Sequence, residues 1–170
     1  MKTLRDKRTW RYCLAAVFFV FLTAITLAEG TQNGSSLLTI RSGTSFGECT
    51  GYCWHEIEIS HRQVRYTEHS FEDSFRQRNL QGLISEEEWK ELERLTLASQ
   101  INEGDEVIGC PDCADGGAEW IEIEFEGKRR RKLTFAYGVY PTTVAQLGER
   151  LKYFRETYKM KLKTGEIPKN

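Results

Sequence analysis

Four cysteines in two close pairs are the residues of this sequence with the clearest chemical potential. They are Cys49 and Cys53 in "FGECTGYC", and Cys110 and Cys113 in "GCPDC". Such pairs can form disulfides, bind one zinc ion as four converging thiolates, or exchange disulfides when one thiolate is stabilised. Each pair directly precedes a segment whose pattern predicts the first strand of a hairpin. We therefore expect both pairs at one end of a sheet.

Disulfides are the interpretation that the sequence favours for these cysteines. Zinc ribbons space their two knuckles more closely than the 56 residues that separate Cys53 from Cys110. A redox-active CxxC is normally followed at once by a helix, whereas "ADGGAEW" indicates a turn that leads into a strand. Four cysteines allow three connectivities, and the sequence leaves them open. The alternative is a zinc site formed by all four cysteines, with no other cofactor expected, or a thiol-redox activity of the same residues.

His55 is the remaining candidate near the cysteines, because it shares a strand face with Cys53. It suggests a metal ligand or a Cys–His nucleophile, but we favour a partly buried histidine at the end of a sheet. No catalytic residue is assigned, since the chain has no G-x-S-x-G, H-E-x-x-H or glycine-rich phosphate loop. The sequence therefore favours a binding protein over an enzyme.

One basic cluster is a candidate interaction surface for an envelope component or a protein partner. It consists of Lys128, Arg129, Arg130, Arg131 and Lys132. The alternative is a solvated hairpin tip whose charges pair with the acidic strand beside it. Residues 29–170 hold 19 basic and 24 acidic side chains, so we expect no nucleic-acid partner.

The first 28 residues have the composition of an export signal. A basic start is followed by an uncharged apolar run, Cys13–Ala28, that ends in small residues. The run spans roughly 24 Å as a helix, short of the ~30 Å hydrocarbon core, which favours a cleaved signal peptide over an uncleaved membrane anchor. Either form exports the rest of the chain, so we expect a periplasmic or secreted protein, free or tethered by that helix. Residues 29–36 read as a polar linker.

Alternating apolar and charged residues predict two antiparallel hairpins in the remaining chain. Residues 53–60 pair with 63–68, and residues 119–126 pair with 132–137. Residues 36–42 suggest an additional edge strand, and residues 68–83 have no assigned structure. Each hairpin precedes an amphipathic helix, one with Ser85 as its N-cap and one with Thr143.

These elements predict the fold class α+β, with an antiparallel sheet of two hairpins packed on two amphipathic helices in the order ββαββα. The domain is expected over residues 37–160, followed by a polar tail over residues 161–170.

The chain also resembles a family of small exported or lipoprotein-type bacterial domains. The resemblance is carried by four segments: "SFGECTGYCWHEIEI", "ISEEEWKEL", "WIEIEFEGK" and "VYPTTVAQLGERL". It spans roughly residues 41 to 158 and includes the "FGxCxxYC" entrance to the first hairpin. The resemblance implies export from a bacterium and an α+β fold, and it implies no activity.

Overall fold

The computed structural model describes residues 36–72 and 76–166. The signal peptide or anchor, and all but the last residue of the linker, were predicted for residues outside these ranges. No helix within the described ranges is both long enough and apolar enough to cross a membrane.

Seven strands and two helices make up the fold of the described residues. The strands are β1 (Leu37–Ser45), β2 (Trp54–Ser60), β3 (Gln63–His69), β4 (Arg78–Leu83), β5 (Gly104–Ile108), β6 (Ala118–Phe125) and β7 (Arg131–Ala136). The helices are α1 (Glu86–Ala98), between β4 and β5, and α2 (Ala145–Thr164), after β7. The class α+β is confirmed, but the order ββαββα is wrong, because three further strands are present among the described residues.

The strands form one sheet in the order β4-β3-β2-β1-β6-β7-β5. Both predicted hairpins, β2–β3 and β6–β7, are confirmed. The additional strand, β1, is not at an edge as predicted but joins the two hairpins at the centre of the sheet. Its core face carries Ile40 and the small polar residues Ser42 and Thr44, so its sequence lacks the apolar run by which central strands are recognised.

The two edge strands were not predicted. β4 lies in the unassigned segment and pairs with β3. β5 pairs with β7 in parallel, which makes the sheet mixed rather than antiparallel. Both strands are short and mostly polar, "RNLQGL" and "GDEVI", as is typical of edge strands that avoid pairing with other chains.

The start of α1 agrees with the prediction from the sequence. The side chain of Ser85 accepts a hydrogen bond from the Glu88 amide, and the Glu88 side chain accepts one from the Ser85 amide. This reciprocal capping satisfies two amides that a helix N-terminus leaves unpaired.

The start of α2 differs from the prediction. Thr143 is not its N-cap, because residues 141–144 form a turn in which the Val144 amide donates to the Pro141 carbonyl. The helix then continues to Thr164, past the predicted end of the domain, and Gly165 ends it at a φ of +72°.

Both helices pack on one face of the sheet and form a single core with it. The predicted stripe of α2 is buried throughout: Val144, Leu147, Leu151, Phe154 and Tyr158. It packs with inward residues of the sheet, such as Ile57 and Ile121. The opposite face of the sheet is covered by no described helix, and it carries most of the charged strand residues.

Candidate functional site

The four cysteines form two local disulfides. Cys49 is bonded to Cys53 across a Cα–Cα distance of 5.8 Å, and Cys110 to Cys113 across 5.5 Å. The disulfide interpretation is thereby supported, and of the three connectivities it is the one within each pair. Each bridge closes a loop of only a few residues, so the chain-entropy model gives each about 2 kcal/mol.

Both disulfides lie at the same end of the sheet, as expected. One loop follows β1 and the other follows β5, and the Ile108 end of β5 lies beside the Phe135 end of β7. The loops approach each other, since a Cβ placed on Gly47 would lie 2.9 Å from Oδ2 of Asp112. We call this end of the sheet the disulfide end.

The loop around Cys113 is held in an unusual backbone conformation. Three residues without glycine's freedom have positive φ: Asp112 at 60°, Ala114 at 51° and Asp115 at 57°. Two hydrogen bonds between Asp112 and Gly117 close the loop. The Asp112 amide donates to the Gly117 carbonyl, and Oδ1 of Asp112 accepts from the Gly117 amide. The described residues after Cys113 do not form the helix that normally follows a redox-active CxxC. They form only a three-residue 3-10 turn, Cys113–Asp115.

A row of polar side chains crosses the helix-facing side of the sheet at the disulfide end. Strand register places its five members next to one another: Arg78, Glu68, His55, Thr44 and Glu119. All except Arg78 are buried. We call this set the polar row. Buried charges are tolerated only where partners satisfy them, so each carboxylate requires its own account.

Glu68 accepts hydrogen bonds from two donors, and His55 lies close by, with Nδ1 3.6 Å from Oε1. Arg78 forms an ion pair with it, and the Tyr66 hydroxyl donates to it at 3.0 Å. Nδ1 of His55 lies 3.0 Å from the Tyr66 oxygen, and it must carry a proton because the hydroxyl proton already goes to Glu68. Burial opposes ionisation, but the favourable contacts with His55, Arg78 and Tyr66 outweigh it and lower the pKa of Glu68 to about 2.

Glu119 is held by α2. Arg155, only 2% exposed, donates to Oε1 of Glu119 at 2.6 Å and to Oγ of Ser42 at 2.6 Å. The Tyr140 hydroxyl also donates to Oε1, at 2.8 Å, and the Gly138 amide donates to Oε2. Burial, and then the charge of Glu119, raise the pKa of Tyr140, which keeps that hydroxyl a donor.

The polar row has the chemistry of a structural network. Both carboxylates accept hydrogen bonds from internal donors, and the lowered pKa of Glu68 leaves that side chain little basicity for proton transfer. Three surface cavities of the described chain lie away from it: one beside β2–β4, one beside residues 60–63, and one between the end of α1 and the start of α2. His55 is buried at the end of the sheet, which is the position that the sequence favoured for it.

The uncovered face carries a ladder of alternating charge in its middle. Register aligns Arg65, Glu58, Arg41, Glu122, Lys132 and Asp105 across six strands. Arg41 bonds Glu58 at 2.7 Å and Glu122 at 2.9 Å. Glu58 and Glu122 of the acidic strand face are thus paired by Arg41 of β1, the strand that the sequence placed at an edge.

Three side chains of the predicted basic cluster have internal partners: Arg130 and Lys132 on this face, and Arg131 on the helix-facing side, where register places it opposite Ile123. Arg130 pairs with Glu122 at 3.1 Å and with Asp105 at 2.8 Å. Arg131 lies over the Phe125 ring, and Lys132 lies over the Trp120 ring at 5.6 Å. The side chains of Lys128 and Arg129 are exposed and contact no described hydrogen-bond or ion-pair partner. The cluster therefore presents two free charges rather than five.

Aromatic rings occupy the disulfide end of the uncovered face. Ring centroids follow one another at 5.6 Å from Trp120 to Trp54, 4.4 Å from Trp54 to His69, and 5.8 Å from His69 to Phe71. Exposure rises along this series, from the buried Trp120 to Phe71, which is 60% exposed. We call these four residues the aromatic strip.

Gly43 allows the Trp120 indole to lie close against the backbone of β1. A Cβ at this position would lie only 2.1 Å from Cζ2 of Trp120, so the indole occupies the space of the missing side chain. Glu56 is opposite Gly43 on the other side of β1. The Trp120 indole therefore reaches over Gly43 towards the Glu56 side chain.

Glu56 differs from the other carboxylates of this face. It forms no hydrogen bond and no ion pair with any residue of the described ranges, whereas Glu58, Glu122 and Glu124 each pair with Arg41. Burial raises the pKa of Glu56, and neighbouring Glu58 and Glu122 raise it further against the opposing charges of Arg41 and Lys132. Glu56 is thus a carboxylate with an incomplete set of partners.

Zinc ligation receives no support from these positions. Within residues 36–72 and 76–166, no group of three or more His, Cys, Asp and Glu residues has a metal-binding arrangement.

Neither the polar row nor the aromatic strip was predicted from the sequence. Each joins residues from strands far apart in the chain, and only the central position of β1 brings them together.

No protein-family model matches the chain, and no curated protein matches it.

Proposed function

We propose that this chain is a non-catalytic binding module of the bacterial envelope, exported and stabilised by its two disulfides. The aromatic strip is its ligand surface. The observation that carries the proposal is the rise in exposure from Trp120 to Phe71 on a face that no described helix covers. Exposed apolar groups next to polar surface are typical of interaction sites, because leaving them in water is unfavourable.

Two further features support this choice of surface. The strip adjoins the disulfide-closed loop after β1, and the amide of Gly51 in that loop donates to Glu72 at 3.1 Å, one residue beyond Phe71. This contact restrains the exposed ring, which lowers the entropy lost on binding. The basic cluster is the weaker candidate because three of its five side chains have internal partners.

The test is co-sedimentation of the full chain, purified without reductant, with envelope fragments of the bacterium that exports it. We expect W54A and F71A each to weaken retention about tenfold, since removing one well-placed aromatic contact costs about 1–2 kcal/mol. The matched control is L97A, which removes an equally exposed apolar side chain from α1. Retention that is unchanged in W54A and F71A, or lost equally in L97A, would refute the proposal.

A further inference from the structure

We propose that the end of the sheet opposite the disulfide end docks on an anionic lipid surface. Register defines this end, which we call the linker end: β1 begins there at Leu37, opposite Phe125 of β6, and Thr39 lies opposite Ser60 of β2. The apolar run and the polar linker precede β1, so the chain enters the described fold at this end. The surface lies apart from the aromatic strip and goes beyond the proposed function.

The order of the chain places the linker end nearest the membrane in the tethered form. The apolar run ends at Ala28, and the eight residues 29–36 reach about 29 Å at most when fully extended. β1 then leads away over nine residues, Leu37–Ser45, which places the disulfide end roughly 30 Å from the linker end. The linker end is therefore the part of the sheet that meets the lipid surface first.

The C-terminal part of α2 belongs to the linker end as well. Arg155 donates to Ser42 in the middle of β1. One turn later, the Tyr158 hydroxyl donates to the carbonyl of Leu83, the last residue of β4. The helix thus runs towards the linker end, and the lysines that follow Tyr158 continue in that direction. One of them, Lys161, lies over the Tyr158 ring at 4.8 Å.

The two ends of the sheet differ in charge. The basic side chains of the linker end within the described ranges are Arg62, Lys128, Arg129, Lys159, Lys161 and Lys163. The acidic side chains that lie there without an ion pair to another described residue are Glu87, Glu103, Glu126 and Glu166. The exposed acidic side chains described at the disulfide end are Glu48, Glu72, Asp112 and Asp115, and Arg76 is the exposed base beside them. Because residues 29–170 are acidic as a whole, the linker end is the part that an anionic surface attracts.

Two exposed leucines give the linker end an apolar contact surface. Leu38 is 43% exposed and Leu83 is 49% exposed, and both line one surface cavity beside the β2–β3 turn, together with Arg62. The side chains of Lys128 and Arg129, in the β6–β7 turn, have no hydrogen-bond or ion-pair partner in the described ranges. A lipid surface offers acyl chains and negative headgroups together, so it matches this combination of apolar and basic side chains.

The test uses the chain as purified from its native compartment, with nanodiscs of phosphatidylglycerol and phosphatidylcholine that contain nitroxide-labelled headgroups. The nitroxide broadens the NMR signals of amides that lie close to the lipid. We expect broadening at Leu38, Leu83 and Lys128, and sharp signals at Gly47 and Gly116 of the disulfide end. Nanodiscs of phosphatidylcholine alone should abolish this difference between the two ends. Equal broadening at both ends, broadening at the disulfide end alone, or no broadening would overturn the proposal.

Charge-reversed variants make the assignment specific to the linker end. R129E is expected to lower the ratio of docked to undocked protein about tenfold, because it removes an attractive charge and adds a repelling one. R76E is the matched control, since it makes the same charge change at an exposed arginine of the disulfide end, and we expect less than a twofold effect. Docking of R129E at wild-type strength, or an equal loss in R76E, contradicts the assignment.

The variant F71A separates this docking from the proposed function. Phe71 lies in the aromatic strip at the disulfide end, so F71A should leave docking on protein-free nanodiscs unchanged. If F71A weakens that docking as much as R129E does, the strip contacts the lipid and the linker end does not. If wild type fails to dock while F71A still lowers envelope retention, the aromatic strip remains the ligand surface and the lipid-docking proposal is wrong.

Discussion

Replacing Glu68 by glutamine tests whether the polar row is an ionised structural network. The carboxylate is 1% exposed, and its pKa falls from 4.5 to about 2 in the folded chain. At about 1.36 kcal/mol per pKa unit, this shift corresponds to about 3 kcal/mol of stability at neutral pH. A lowered pKa stabilises the fold above the unfolded value near 4.5, and the contribution is lost as the pH falls towards 2.

The assay is urea unfolding of the wild-type chain and E68Q at several pH values between about 7 and 2.5. We expect E68Q to be less stable by about 3 kcal/mol at neutral pH, with the difference shrinking below about pH 4.5 as Glu68 becomes protonated in the unfolded wild type. Taking the difference between the two proteins cancels the titration of all other carboxylates. E124Q is the control. Glu124 is 44% exposed, and its ion pair with Arg41 is long, at 3.7 Å.

A difference between wild type and E68Q that stays constant over this pH range would refute the reasoning. It would mean that the loss comes from packing or from an amide mismatch, and that the charge of Glu68 contributes nothing.

Three other predictions concern the parts that position the site. R155M should cost about 3–5 kcal/mol in urea unfolding because it leaves Glu119 buried without its cation, and the double variant R155M/E119Q should cost less than the sum of the single changes; additive costs would contradict the pairing. G43A should cost about 1–3 kcal/mol and expose the Trp120 indole, seen as a red shift in fluorescence, because the new methyl group would clash with that ring; an unchanged spectrum would contradict the close approach. S85A should cost about 1 kcal/mol through loss of the cap on α1, and a negligible change would show that the capping bond contributes little in solution.

Local patterns predicted the parts of the fold that depend on neighbouring residues. Alternation in β2 and helical spacing in α2 gave the buried faces correctly, because one side of each element packs against the core. In β6 the predicted inward residues are buried, but Glu122, predicted to face solvent, is buried as well. The capping box at Ser85 was equally readable, since all its atoms lie within four residues.

Other features depend on contacts between distant residues and could not be read in this way. β1 is central because β2 and β6 both pair with it, a fact that its own mixed sequence does not encode. Arg155 looks like a solvent-facing arginine in an amphipathic helix, yet it is buried because Glu119, 36 residues away, faces it across the core. Both the polar row and the aromatic strip follow from this sheet order.

We propose that this chain is a module with an oxidised, disulfide-closed end that works outside the cytosol, and that it is neither a zinc-dependent nor a thiol-dependent enzyme. The most direct test is a non-reducing peptide map, with zinc analysis, of the full chain purified from its native compartment under conditions that block thiol exchange. We expect Cys49 linked to Cys53, Cys110 linked to Cys113, and no stoichiometric zinc. Four alkylatable thiols that hold one zinc ion would contradict it.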